Sequence, residues 1–95
     1  MIRVVVVDDH AVVRAGLCRL LSGEDHIEVV GQTGLGREAV QMAREMVPDV
    51  VLLDYNLPDQ DGLETTRQIM DSCIDTRVLI LTMYESEEYA TRLIR

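Results

Sequence analysis

Three aspartates stand where a parallel sheet would gather them at one edge. Asp8 and Asp9 follow the run Val4-Val5-Val6-Val7, and Asp54 follows Val50-Val51-Leu52-Leu53. Each run is short, rich in β-branched residues and bounded by acidic or loop residues, the pattern of a strand buried on both faces of a sheet. Ligands of such sheets bind beyond the carboxyl ends of the strands, so the three side chains are expected to share one pocket. Carboxylates that close repel one another and call for a divalent cation, and an all-oxygen site that handles phosphate suits Mg²⁺. Two adjacent carboxylates and a third from a neighbouring strand can hold one such ion, directly or through water, with Asp54 free to attack phosphorus. The product would be an acyl phosphate, a mixed anhydride that stores free energy and hydrolyses readily.

A plainer role exists for each residue taken singly. An acid at a strand end also caps the following helix or begins a turn, and that applies to Asp8 or Asp9 alone. Asp54 is different, because the eight residues Tyr55-Asn56-Leu57-Pro58-Asp59-Gln60-Asp61-Gly62 after it form a loop too long and polar for a simple cap. Thr82 ends a fourth apolar run, Val78-Leu79-Ile80-Leu81, at the same expected edge. Its hydroxyl is suited to donate to a phosphoryl oxygen, although β propensity alone also favours threonine there. His10 directly follows the acidic pair and is expected near the site, His26 reads as a loop residue, and neither is assigned a catalytic role. Cys18 and Cys73 sit in helical apolar patterns without metal or redox spacing and read as packed thiols.

The elements that must position these groups alternate strictly. After the first strand, Ala11 to Ser22 carries Val13, Leu17, Leu20 and Leu21 at helical spacing, with Ser22-Gly23 as its stop. A strand from Ile27 to Gln32 follows, then a helix from Gly36 to Val47 with Val40, Ala43 and Val47 on one face and Pro48 at its end. The third strand ends at Asp54. A third helix, Gly62 to Cys73, is expected to bury Leu63, Thr66, Ile69 and Met70. The fourth strand ends at Thr82, and Ser86 caps a last helix through Tyr89, Leu93 and Ile94. Strand and helix alternating four times indicate βαβ units and a doubly wound α/β parallel sheet. The methionines Met42, Met46 and Met70 are expected to fill gaps in the core.

With 95 residues the chain makes one domain and buries a modest share of its surface. A composition 47% hydrophobic and 27% charged excludes disorder by low hydrophobicity, and no apolar run is long enough to span a bilayer. Met1-Ile2-Arg3 leads straight into a strand with no leader pattern, so a cytoplasmic location is expected. A net charge of −8 argues against direct nucleic-acid binding by this chain. No Gly-rich loop joins the first strand to its helix, which argues against a nucleotide site; Gly34-Leu35-Gly36 reads as a turn and helix start.

These residues resemble the receiver domain of bacterial two-component response regulators, in particular the subfamily with a LuxR-type helix-turn-helix output. The similarity lies in Val6-Val7-Asp8-Asp9-His10 with Val13-Arg14-Ala15-Gly16-Leu17, in Val29-Val30-Gly31, and in Pro48-Asp49-Val50-Val51-Leu52-Leu53-Asp54. It continues through Leu57-Pro58-Asp59-Gln60-Asp61-Gly62-Leu63-Glu64 and Leu79-Ile80-Leu81-Thr82-Met83-Tyr84, so it covers the whole chain. The resemblance implies a flavodoxin-like sheet of order 2-1-3-4-5, with Asp54 as phosphoacceptor for a sensor histidine kinase or a small phosphodonor. It implies Mg²⁺ held by Asp8, Asp9 and Asp54 with the backbone carbonyl of Asn56, Asp9 being the more direct ligand of the pair. Thr82 would be the switch hydroxyl, and Pro58 and Gly62 would shape the acceptor loop. The parent protein would be a transcriptional regulator, and the domain a signalling module rather than an enzyme.

The chain departs from the family in one informative way. The family's fifth strand carries a lysine that pairs with the acceptor, but all nine basic residues here are arginine. The fifth strand and last helix are expected to be missing, roughly 25 residues at usual element lengths. Without an ammonium group, the aspartates are expected to depend on Mg²⁺ or a proton, with a raised carboxylate pKa in the absence of metal and inefficient phosphorylation. Loss of strand five would also leave strand four as an exposed apolar edge, which is expected to pair in a symmetric homodimer through that strand or the adjacent helix surface. Two alternatives remain in view. One is a phosphorylation-incompetent fragment acting only in self-association. The other is an aspartyl-phosphate phosphatase, to which Asp54-Tyr55-Asn56 is a weak match because Asn56 cannot act as the carboxylate acid/base.

Overall fold

The structure, a computed structural model, describes residues 1–73 and 75–81. The four expected strands are all present, as β1 (Ile2–Val7), β2 (Ile27–Thr33), β3 (Val50–Asp54) and β4 (Arg77–Leu81). Between them lie α1 (Ala11–Ser22), α2 (Gly36–Met46) and α3 (Gly62–Ser72). Thr82 and the expected last helix lie outside the described residues. The strands form one parallel sheet in the order β2-β1-β3-β4. The order reverses between β1 and β3, and right-handed crossovers therefore put α1 on one face and α2 with α3 on the other.

Burial follows from that topology. β1 lies inside the sheet, and Val4, Val5, Val6 and Val7 are all at most 3% exposed. The main core joins Val5, Val7, Val51, Leu53 and Ile80 to Ala39, Val40 and Ala43 of α2 and to Ile69 and Cys73. β2 carries a bulge: Val4 pairs with Val29 but Val5 pairs with Gly31. The space over Gly31 is filled by the sulfurs of Met42 and Met46, which a Cβ there would approach to 3.3 and 3.2 Å. Two methionines thus fill gaps as expected, while Met70 is 53% exposed.

The helix faces differ in part from the sequence pattern. In α3 the inward stripe is Gly62, Thr65 and Ile69, whereas Leu63 is half exposed. The rotation of this helix is set at its first residue: a Cβ on Gly62 would lie 2.8 Å from Tyr55 Cα, so only glycine permits that approach. α2 buries Val40 and Ala43 as expected but ends at Met46, with Val47 in a left-handed conformation and 57% exposed. α1 has the expected ends yet fully buries no residue, and Leu20 is 72% exposed. Among the described residues α1 has no helical neighbour on its face, whereas α2 and α3 cover each other. β4 is the outermost described strand on its side, with Leu79 and Leu81 more than a third exposed. No described helix is long and apolar enough to cross a membrane.

Candidate functional site

The sheet register places the acidic residues. Val7, the last residue of β1, pairs with Leu53 of β3, so the next residue on each strand, Asp8 and Asp54, reaches the same carboxyl edge. Two backbone bonds fix this edge to the outer strands: Asp8 N donates to the Thr33 carbonyl at 3.0 Å, and Tyr55 N to the Leu81 carbonyl at 3.1 Å. Leu81 itself pairs with Asp54. Thr82, the expected switch hydroxyl, follows Leu81 and lies outside the described residues.

Asp8, Asp9 and Asp54 do converge. One ligand atom from each, together with one from His10, lie within 4.8 Å of one another. Asp8 and Asp54 are buried, their side chains 10% and 6% exposed, while Asp9 faces solvent more openly at 34%. Octahedral Mg²⁺, with bonds of about 2.1 Å, sets opposite ligands roughly 4 Å apart. The three carboxylates gather within 4.8 Å of one another, and their hard oxygen donors suit the ion, so the residues present fit Mg²⁺. Asn56 lies two residues beyond Asp54 and forms an isolated bridge with Asp61 across the acceptor loop. That loop and Asp9 line an open cavity of about 290 Å³ beside the carboxylates.

The electrostatics follow from burial and crowding. Burial pushes the Asp54 carboxyl above the ordinary carboxylate range and the charges of Asp8 and Asp9 push it further, opposed by the Asn56 N–H and by His10. The raised carboxylate pKa is thus present at the residue with the least exposed side chain of the three. His10 was expected only near the site, and the structure puts it inside. Its Nδ1 lies 3.1 Å from Asp8 Oδ1, 3.2 Å from Asp9 Oδ1 and 3.9 Å from Asp54 Oδ2. The hydrogen bond with Asp8 and the charge of Asp9 raise its pKa. When protonated, this imidazole offsets part of the carboxylate charge. Asp8 also accepts the His10 backbone N–H at 2.8 Å, so it begins a turn as well as lining the pocket.

Two residues outside the sequence-derived set hold the loops that carry these groups. Arg14 Nη1 donates to the Asp8 carbonyl at 2.7 Å and Nε to Gln32 Oε1 at 3.1 Å, tying the β1–α1 loop to β2. Asp59 accepts the backbone N–H groups of Gly36 at 2.8 Å and Arg37 at 2.9 Å. Burial alone would raise its pKa, but these bonds and the Arg37 side chain hold it below the ordinary carboxylate value. Neither contact has a local sequence signal, since the partners of Asp59 lie 22 and 23 residues away.

The model of the response regulator receiver domain family matches residues 4–95. The response regulator GacA of Pseudomonas viridiflava is 46% identical over 95 residues, all of this chain and 44% of that protein. The chain thus spans less than half the length of this relative. The signal receiver domain of NarL from Mycobacterium tuberculosis superposes with a TM-score of 0.88 at 34% identity, covering 97% of this chain and 74% of that one. A LuxR-family two-component response regulator from Aurantimonas sp. SI85-9A1 gives a TM-score of 0.87 at 36% identity, covering 96% and 65%. A family match over nearly the full length, on a sheet of the same architecture, places this chain among the response regulator receiver domains.

Proposed function

We propose that the chain is the phosphoacceptor module of a two-component system, phosphorylated on Asp54 by a sensor histidine kinase with Mg²⁺. The observation that carries this reading is the convergence of Asp8, Asp9 and Asp54 at the carboxyl edge of the sheet, with Asp54 buried and its pKa raised. An Asp54 carboxylate oxygen attacks phosphorus, forming an acyl O–P bond as the P–N bond of a phosphohistidine donor breaks and its imidazole takes up a proton. Asp8, Asp9, Asp54 and the backbone carbonyl of Asn56 would hold the metal. Mg²⁺ supplies charge neutralisation for the phosphoryl oxygens, which with positioning is most of what phosphoryl transfer needs. Thr82 would respond to the phosphoryl group as the switch hydroxyl. The parent protein would be a cytoplasmic transcriptional regulator in which a partner surface reads the altered state.

The test is intact-mass spectrometry after incubation with acetyl phosphate and Mg²⁺. One added phosphoryl mass is expected, absent without Mg²⁺ and absent in Asp54→Asn. A folded protein that gains no mass overturns the phosphoacceptor reading and favours a module for assembly only.

Self-association belongs to the same proposal, because the exposed Leu79 and Leu81 lie on the outermost described strand. A symmetric pairing through β4 or the adjacent helix surface would cover them. Sedimentation velocity is expected to show a dimer that weakens in Leu79→Glu. A wild-type monomer at high concentration would overturn this part alone.

A further inference from the structure

We propose that Asp59 is a positioning residue whose carboxylate latches the acceptor loop to the N-terminus of α2 and so sets the affinity of the pocket for Mg²⁺. The inference rests on the metal-site reading above. The candidate ligands sit on two segments: Asp8 and Asp9 follow β1, while Asp54 ends β3 and Asn56 lies in the loop beyond it. The sheet register sets Asp54 beside Asp8, but the placement of Asp9 and Asn56 depends on what ties their loops together, and a third loop, between β2 and α2, does so.

A path of hydrogen bonds and short backbone segments leads from the β1–α1 loop to the acceptor loop. Asp8 N donates to the Thr33 carbonyl at the end of β2. The Thr33 hydroxyl donates to Glu38 in the first turn of α2 and accepts the Leu35 N–H at 3.2 Å. The next two N–H groups, of Gly36 and Arg37, then turn to Asp59, whose side chain is only 7% exposed, and Arg37 Nε adds a contact at 3.3 Å. From Asp59 the loop returns through Asp61, which caps α3 by accepting the Glu64 N–H at 2.7 Å and bridges to Asn56. Asp59 is the link in this path between α2 and the acceptor loop.

An ordinary helix cap does not account for the arrangement. The N-cap residue of α2 is Leu35, which makes no side-chain cap bond. A local Ser, Thr or Asp at that position would satisfy a first-turn donor without engaging the acceptor loop. The helix instead takes its cap from 22 to 23 residues away, on the loop that carries Asn56. Contact at this seam is close: a Cβ on Gly36 would lie 2.6 Å from Thr65 Oγ1 and 2.7 Å from Gln60 Cγ. Glycine at position 36 thus lets the helix end come near enough for Asp59 to reach its N–H groups.

Two variants open the latch by different means. Asp59→Asn removes the charge and one acceptor, whereas Gly36→Ala wedges the seam with a methyl group and leaves every charge in place. Thr76→Val is the control, since buried Thr76 bonds the Pro48 carbonyl at 2.8 Å at the opposite end of the sheet, and its loss costs stability without touching the loop. Mg²⁺ is titrated into each protein by isothermal calorimetry at matched pH and salt, with folding checked by circular dichroism. Both latch variants are expected to weaken Mg²⁺ binding about tenfold, the usual scale for groups that hold metal ligands in place, while Thr76→Val binds as the wild type does. Wild-type affinity in Asp59→Asn would overturn the proposal, as would an equal loss in Thr76→Val. A loss in Asp59→Asn that Gly36→Ala does not share would reduce the effect to charge and overturn it too. Should Asp59→Asn not fold, Gly36→Ala carries the same test. A wild-type protein that binds no Mg²⁺ would instead bring down the metal-site reading itself.

Discussion

Val47 ends α2 in a left-handed conformation, φ 44° and ψ 62°, with its N–H bonded to the Ala43 carbonyl at 3.0 Å. Valine is poorly suited to that region because its branched Cβ crowds the carbonyl, and being 57% exposed it gains little packing in return. Val47→Gly is therefore expected to stabilise the protein by about 1 kcal/mol after the greater freedom of glycine in the unfolded chain is discounted. A urea melt followed by circular dichroism checks this. Asp59 gives a pH-dependent counterpart. Its folded pKa is lowered, so its contribution to stability is present above the ordinary carboxylate pKa and is lost as pH falls through the lower folded value. Asp59→Asn is expected to cost about 1–2 kcal/mol, at the low end for charged hydrogen bonds because the Arg37 side faces water. That deficit should be constant near neutral pH and shrink below about pH 4, as denaturant melts across pH would show.

The helices contribute unequally to the fold. α2 and α3 share one sheet face and bury Ala39, Val40, Ala43, Thr65 and Ile69, whereas α1 fully buries nothing. Ile69→Ala removes a wholly enclosed side chain and is expected to cost about 2–5 kcal/mol, a large share of what a domain this small has. Leu20→Ala, at a site 72% exposed, is expected to change stability by less than about 0.5 kcal/mol. Thermal or urea melts of the two variants separate these outcomes. Periodicity identified each of the three described helices because the 3.6-residue repeat survives any neighbour. The face chosen by α3 was misjudged because the contact of Gly62 with Tyr55 sets its rotation, and a glycine carries no weight in a hydrophobic pattern.

A molecule with net charge −8 gathers three of its carboxylates into one partly buried pocket, relieved by the single imidazole of His10. The raised Asp54 pKa means that the folded state holds its proton more tightly than the unfolded chain, so this group lowers stability as pH rises through and above the carboxylate range. Asp54→Asn is accordingly expected to melt at a higher temperature than the wild type at neutral pH without metal, with the difference fading in acid. Mg²⁺ at 100 times its Kd should raise wild-type stability by about 2.7 kcal/mol, and chelation should remove that gain in a calorimetric scan. The sequence by itself determined the order of the described elements, the end of the third strand at Asp54 and the identity of the three aspartates, because apolar run length and the acids that follow the first and third runs are local properties of the chain. Only the tertiary structure decided that His10 enters the pocket and that Arg14 and Asp59 tie its loops together. Those contacts depend on the register and crossover of strands far apart in sequence, and hydrogen bonds between such segments leave no periodic trace in the residues that make them.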